Sequence, residues 1–329
     1  VFDLNLASVV ETIRKEGYTR VAIQLPEGLK DSGVYISTQL TGDAGCEVII
    51  LGDPCYGACD LADFEAFSLG CDALFHFGHS KIFKNAQLPV HYIPVKIPRD
   101  PLPLLKENLD LLPSHVGLVT TIQHIHLLKD IARVLEESRK TVVIGNAAGR
   151  IAYPGQVLGC SFSTAKNIAN DVDAFLFVGT GNFHPLGVAL STAKKVFALD
   201  MERGELRDMT DVQEPILRKR FAAIARAQEA RRFGILIGEK QGQRRLGLAR
   251  KVREMLEENG KSCHFIALRE ITPDVLLPFR RLDAFVNTAC PRITIDDTAR
   301  YKKPVLTPIE LEIVLGLREW KDYAMDEIV

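Results

Sequence analysis

No stretch of the 329-residue sequence is apolar for long enough to span a bilayer. Its N-terminus, Val1-Phe2-Asp3-Leu4-Asn5, has neither the basic start nor the apolar block of a signal peptide. A cytoplasmic protein with no membrane partner is expected. Neither sign of charge is in excess: 41 Lys and Arg face 42 Asp and Glu, for a net charge of −1. That balance excludes a whole-surface attraction to nucleic acid or anionic lipid, so no direct nucleic-acid partner is expected. Paired knuckles of closely spaced cysteines, the mark of structural zinc, are missing. Gly179-Thr180-Gly181 lacks the rest of a dinucleotide-binding fingerprint. The seven cysteines (Cys46, Cys55, Cys59, Cys71, Cys160, Cys263 and Cys290) are odd in number and scattered, which excludes a disulfide framework. In a reducing compartment they serve packing, metal or cluster binding, or catalysis.

The chain does have a conspicuous stretch, Asp53-Pro54-Cys55-Tyr56-Gly57-Ala58-Cys59-Asp60. It follows the apolar run Val48–Leu51, a buried-strand pattern, and precedes helical spacing over Leu61–Phe67. Two thiols thus sit where a strand ends and a helix begins, and α/β sheets bind ligands at the carboxyl ends of their strands. A thiolate there is also favoured by a helix N-terminus. Strand and helix patterns alternate along the whole chain, which implies parallel sheets covered by helices. The length suits two or three domains.

The alternation runs in three rounds. The first has strands at 20–25, 47–51, 72–77 and 90–95, with helices at 7–17 and 29–40. The second has strands at 115–120, 141–145, 173–178 and 195–199, with helices at 127–138 and 164–170. A helix over 212–231 leads to the third, with strands at 233–238, 263–267, 283–287 and 305–307 and a helix at 245–259. Asp72, Asp173 and Asp283 each open the third strand of a round, at spacings of 101 and 110 residues. Cys59 and Cys160 each lie 13 residues before their Asp, whereas Cys290 lies 7 after its own. Domain-sized self-similarity means triplication rather than a solenoid. The expected fold is three similar α/β domains, 1–108, 109–210 and 211–329, about a pseudo-threefold axis. The C-terminal helix, 309–317, with Trp320 beyond it, is expected to cap the last sheet.

Strand ends from three such domains can face one point, and Cys59, Cys160 and Cys290 would then share a site. Soft thiolates favour zinc, copper or iron–sulfur clusters. Three cysteines on a four-iron cluster leave one iron open to a substrate, which points to an enzyme. A zinc with an open position is chemically possible too, and so are three merely buried cysteines. Cys46, Cys71 and Cys263 lie at strand beginnings and read as structural, while Cys55 has no counterpart in the second round. Other polar groups fall at strand ends: Gln24 and Glu27, His79 and Ser80, His184, and Lys240, Gln243 and Arg244. Gly-rich strand–helix turns with basic groups nearby suit an anionic part of a ligand.

Together with Phe77-Gly78-His79-Ser80, Cys160, Gly238-Glu239-Lys240-Gln241-Gly242-Gln243 and Thr288-Ala289-Cys290-Pro291-Arg292, the opening stretch resembles the archaeal diphthamide-synthesis iron–sulfur enzymes. Tyr56-Gly57-Ala58-Cys59 is the most specific part. The resemblance implies a 3-amino-3-carboxypropyl transferase that modifies a histidine of translation elongation factor 2, as a homodimer served by an external electron donor. It implies a [4Fe-4S] cluster on Cys59, Cys160 and Cys290, with S-adenosyl-L-methionine as co-substrate. In that family, radical cleavage of the bond to the methionine γ-carbon releases methylthioadenosine. Cys55 and Cys59 match half of the usual radical-enzyme motif, but Ala62 stands where its third cysteine would be, in keeping with an unorthodox class. His79, Ser80, Lys240 and Gln243 are expected to line the cofactor pocket, with His79 the catalytic candidate. Two other readings compete: a dehydratase like quinolinate synthase, and a non-catalytic iron–sulfur electron-transfer partner.

Overall fold

The computed structural model describes residues 3–328. They form three sheets. The first contains β1 (Arg20–Gln24), β2 (Glu47–Leu51), β3 (Ala73–Phe77) and β4 (Val90–Ile93). The second contains β5 (His115–Thr120), β6 (Thr141–Val143), β7 (Ala174–Val178), β8 (Lys195–Asp200) and β9 (Glu205–Asp208). The third contains β10 (Arg232–Gly238), β11 (Ser262–Leu268), β12 (Ala284–Asn287) and β13 (Val305–Leu306). The strand orders are β2-β1-β3-β4, β6-β5-β7-β8-β9 and β11-β10-β12-β13, so one winding recurs three times. All pairs are parallel except β8 with β9. Parallel strands are covered on both faces, which is why β3 and β7 are buried at every residue and read as unbroken apolar runs.

The recurring aspartates have one structural job. Asp72 accepts from the backbone N–H of Thr19 at 2.7 Å and of Arg20 at 2.9 Å. Asp173 accepts from the N–H of His115 at 3.2 Å, and Asp283 from those of Arg231 and Arg232 at 3.1 and 2.9 Å. Each aspartate also returns its own N–H to the carbonyl of Arg20, His115 or Arg232. The third strand of every sheet is thereby locked to the amino end of the first. Hydrogen bonds to the ionised form lower all three carboxyls, Asp283 to about 2, where the Arg232 side chain contributes most.

Several elements differ from the sequence reading. The helix expected at 29–40 is a 3-10 turn, Glu27–Ser32, followed by a helix at Gly33–Ala44. The second unit repeats this with Ile122–Leu127 and Leu128–Glu137, and the third with Gln241–Gln243 and Leu246–Glu258. The helix Phe183–Thr192 was not expected; it is apolar nearly all round and lacks an amphipathic period. Strand β9, Glu-Leu-Arg-Asp, is half-buried at the sheet edge and too polar to read as a strand. Leu102, Leu104 and Leu105, which lie before residue 109 and so in the first unit by sequence, pack with the core of the second sheet.

The bridging helix, Thr210–Ala227, packs Val212, Ile216 and Leu217 on the second core and Ile224 and Ala227 in the third. Its Arg220 is fully buried and pairs with Glu310 at 2.5 Å, while also donating to the carbonyls of Thr294 and Val305. Helix Pro308–Val314 caps the third sheet as expected: Leu311 is buried in the third core, and Trp320 packs against that core.

Candidate metal centre

Cys59 and Cys160 occupy matching loops, each between the second strand of its sheet and a short helix, Asp63–Ser68 or Ser163–Lys166. Cys290 follows β12 and directly precedes the helix Pro291–Asp296. Cys59 does not sit at a helix start as the sequence suggested, because Asp60, Leu61 and Ala62 intervene. No dipole lowers its thiol; burial raises it, and the N–H of Gln243 opposes that rise.

Gly242 joins the segments that carry Cys59 and Cys160. Its N–H donates to the Cys59 carbonyl at 3.1 Å, and its own carbonyl accepts from Arg150 of the second unit at 2.9 Å. A Cβ on Gly242 would lie 2.5 Å from both Cα and Cβ of Cys59, so only glycine allows this approach. Gln243 Nε2 lies 3.5 Å from the Cys59 sulfur, and Arg150 Nη1 lies 3.9 Å from that of Cys160. Burial pushes the Cys160 thiol up to about 11, with Cys59 adding to the rise. Burial pushes Cys290 up to about 12, with Cys59 and Cys160 both contributing. The three sulfurs therefore feel one another.

Further ties hold the loops together. Lys240 pairs with Asp60 at 2.7 Å and Glu270 at 2.6 Å, fastening the third unit to the loop of Cys59. Burial works against the charge on Lys240, but the two carboxylates hold its ammonium above its ordinary value. Arg245 donates to the carbonyls of Thr288 and Ala289, just before Cys290, and pairs with Asp326. The tail then crosses to the second unit: Ile328 N–H donates to the Cys160 carbonyl at 2.7 Å, and Glu327 accepts from Phe162 N–H at 2.9 Å.

Of the four residues expected around a cofactor, Gln243 reaches the Cys59 sulfur and Lys240 reaches Asp60 beside it. Ser80 is buried and accepts from Gln156 at 2.8 Å, which ties the end of β3 to the loop that carries Cys160. His79 lies 2.9 Å from His76, and their donor atoms and the Cys55 sulfur all fall within 4.8 Å of one another. Cys55 thus belongs to a buried Cys–His–His group. Glu27 pairs with Lys30, and Arg244 donates to the Glu239 carbonyl. His184 stacks on Phe177, and burial holds it at about 4.

Three thiols from three units, all free and half-buried, form a donor set for a soft metal or cluster. Their raised values mean that metal binding would release protons. A family model for diphthamide synthesis proteins matches residues 25–325. The chain belongs to the diphthamide synthesis family. It is 39% identical to 2-(3-amino-3-carboxypropyl)histidine synthase of Pyrococcus horikoshii, over 98% of this chain and 93% of that one. It is 31% identical to subunit 1 of the same synthase from Schizosaccharomyces pombe, over 99% of this chain and 76% of that one. The crystal structure of Dph2 from Pyrococcus horikoshii with a 4Fe-4S cluster superposes with a TM-score of 0.92 at 38% identity, covering 99% of this chain and 94% of that chain. The family fold is therefore this one, three mainly parallel sheets with their helices.

Sequence reasoning missed Arg150, Arg245, Gln156, His76 and Glu327. Each acts on a segment distant in sequence, which leaves no local motif. Gly242, between two glutamines on a strand–helix turn, carries a visible signal once the close approach is known.

Proposed function

We propose that this chain transfers the 3-amino-3-carboxypropyl group of S-adenosyl-L-methionine to a histidine of translation elongation factor 2, holding a [4Fe-4S] cluster on Cys59, Cys160 and Cys290. The convergence of these three thiols carries the reading, in a chain whose relatives are named for making the product. The donor set fits: three soft thiolate ligands would leave one iron of such a cluster open. Bound there, such a cluster supplies an open iron and an electron for cleavage of a carbon–sulfur bond.

The protein's part is positioning and charge. Gln243 and Arg150 direct N–H groups at the sulfurs of Cys59 and Cys160 and favour their thiolate forms. Gly242 lets the third unit close on the Cys59 backbone, and Lys240 holds that closure through Asp60. Each of the three units brings one cysteine. The active assembly is a homodimer in the cytoplasm, reduced by an external electron donor.

The test is anaerobic reconstitution with iron and sulfide, then reaction with reductant, co-substrate and elongation factor. We expect about four irons per chain, methylthioadenosine, and a labelled factor. A wild-type protein that binds no cluster, or that cleaves the co-substrate to deoxyadenosine instead, overturns the reading.

A further inference from the structure

Gln24 fixes a chain of protons that ends on His79. Its Nε2 lies 2.6 Å from the Asp60 carbonyl, which can only accept, and its Oε1 lies 3.2 Å from the Ala62 N–H, which can only donate. The amide orientation is therefore set by the loop that carries Cys59. That same Oε1 lies 2.7 Å from His76 Nδ1, so this nitrogen bears the proton. Burial keeps both histidines neutral at pH 7, His79 at about 4. A neutral His76 with Nδ1 protonated has a lone pair on Nε2. His79 Nδ1, 2.9 Å away, must donate to it. One tautomer of His79 remains, with Nε2 unprotonated, and no described group of the protein hydrogen-bonds to that atom.

His79 stands at the carboxyl end of β3, between two of the cysteine loops. Gln24 connects it to the loop of Cys59, and Ser80 with Gln156 connects it to the loop of Cys160. The function proposed above, on which this step rests, needs a proton acceptor. Each transfer breaks the sulfonium carbon–sulfur bond and the target imidazole C–H bond and makes one carbon–carbon bond. The sulfur leaves as a neutral thioether, and one proton is released. No net oxidant or reductant is consumed.

We propose that His79 Nε2 accepts this proton, and that Gln24 and His76 are positioning residues that keep the atom bare. In the reconstituted enzyme, His79→Ala lowers the ratio of labelled factor to methylthioadenosine by about 10²–10⁴-fold, the usual range for a lost acid–base group. Added imidazole restores labelling in His79→Gly. Nitrogen NMR of ¹⁵N-histidine protein shows a single lone-pair-type Nε2 for His79, and Gln24→Leu mixes the tautomers. Three results overturn the proposal: an equal fall of labelling and methylthioadenosine in His79→Ala, which makes the residue a cofactor contact; a protonated Nε2 in the wild type; or a stoichiometric metal beyond the cluster that Cys55→Ser removes, which makes the group a metal site. A wild type that forms no methylthioadenosine fails the proposed function, and the proton-accepting role falls with it; the nitrogen signals then report the tautomer alone.

Discussion

The two ends of the three sheets behave differently. At the amino ends, Asp72, Asp173 and Asp283 each exchange hydrogen bonds with the backbone of Arg20, His115 or Arg232 at the start of the first strand, as ionised carboxylates. At the carboxyl ends the units share a winding but not a chemistry. The first places Cys59 and the Gln24–His76–His79 chain there, the second Cys160 and Arg150, the third Gly242, Gln243 and Cys290. Triplication thus kept the part that closes each sheet and let the part that faces the common centre diverge. The amino end is a local device needed three times. On the function proposed above, the carboxyl end is a single device divided among three units.

If that division holds, removing any one third abolishes the whole. Cys59→Ala, Cys160→Ala and Cys290→Ala should each lose the full cluster iron and all methylthioadenosine, not a third of it. Iron counting and product analysis check this, and a single variant with a complete cluster breaks the comparison. Next in size, Lys240→Met leaves Asp60 buried without its partner, and breaking such a pair costs about 3–5 kcal/mol. Denaturant unfolding reads that loss. Gly242→Ala forces a methyl group onto the Cys59 backbone and should cost about 1–3 kcal/mol, with loss of cluster binding at temperatures where the chain is still folded.

The ends should also separate by pH. His79, His124 and His184 are held at about 4 by burial, against an ordinary 6.5. Between those values the unfolded chain binds more protons than the folded one, so stability falls as pH drops from 6.5 to 4. Each such histidine contributes a slope of up to about 1.4 kcal/mol per pH unit, and His184→Gln should remove one of them. Asp283 works in another window. Its carboxyl lies at about 2 against an ordinary 3.8, so its contribution is present above 3.8 and is lost as pH falls towards 2. The smallest effect belongs to Asp72→Asn and Asp173→Asn: a modest drop in the thermal midpoint, similar in both, with product formation unchanged at moderate temperature.

Legibility in the sequence follows the same division. Parallel strands announce themselves as apolar runs, so β2 and β5 were read to the residue and the aspartates marked the repeat, but the burial expected of Val48–Leu51 is not found, because β2 is the edge of its sheet and stays partly exposed. The cysteines were traced by spacing from those aspartates. Helix Phe183–Thr192 and strand β9 escaped because one lacks a polar face and the other an apolar one. Arg150 and Arg245 escaped because an arginine in a loop has no pattern until its partner, Gly242 or Asp326, is seen across the fold. The helix-start expectation for Cys59 failed because three residues separate it from helix Asp63–Ser68, while burial governs its thiol.

The bond between Lys240 and Asp60 spans 180 positions of the chain. Each sheet is built from neighbours in sequence, so it can form early and alone, whereas this closure waits for the third unit. During translation, at roughly 5–20 residues per second, the Cys59 loop leaves the ribosome many seconds before its partners. Through that interval its thiol has no shared site and is open to oxidants and stray metals. On the function proposed above, the centre is the last part of the molecule to be made, and iron and sulfide would have to arrive at the end of synthesis.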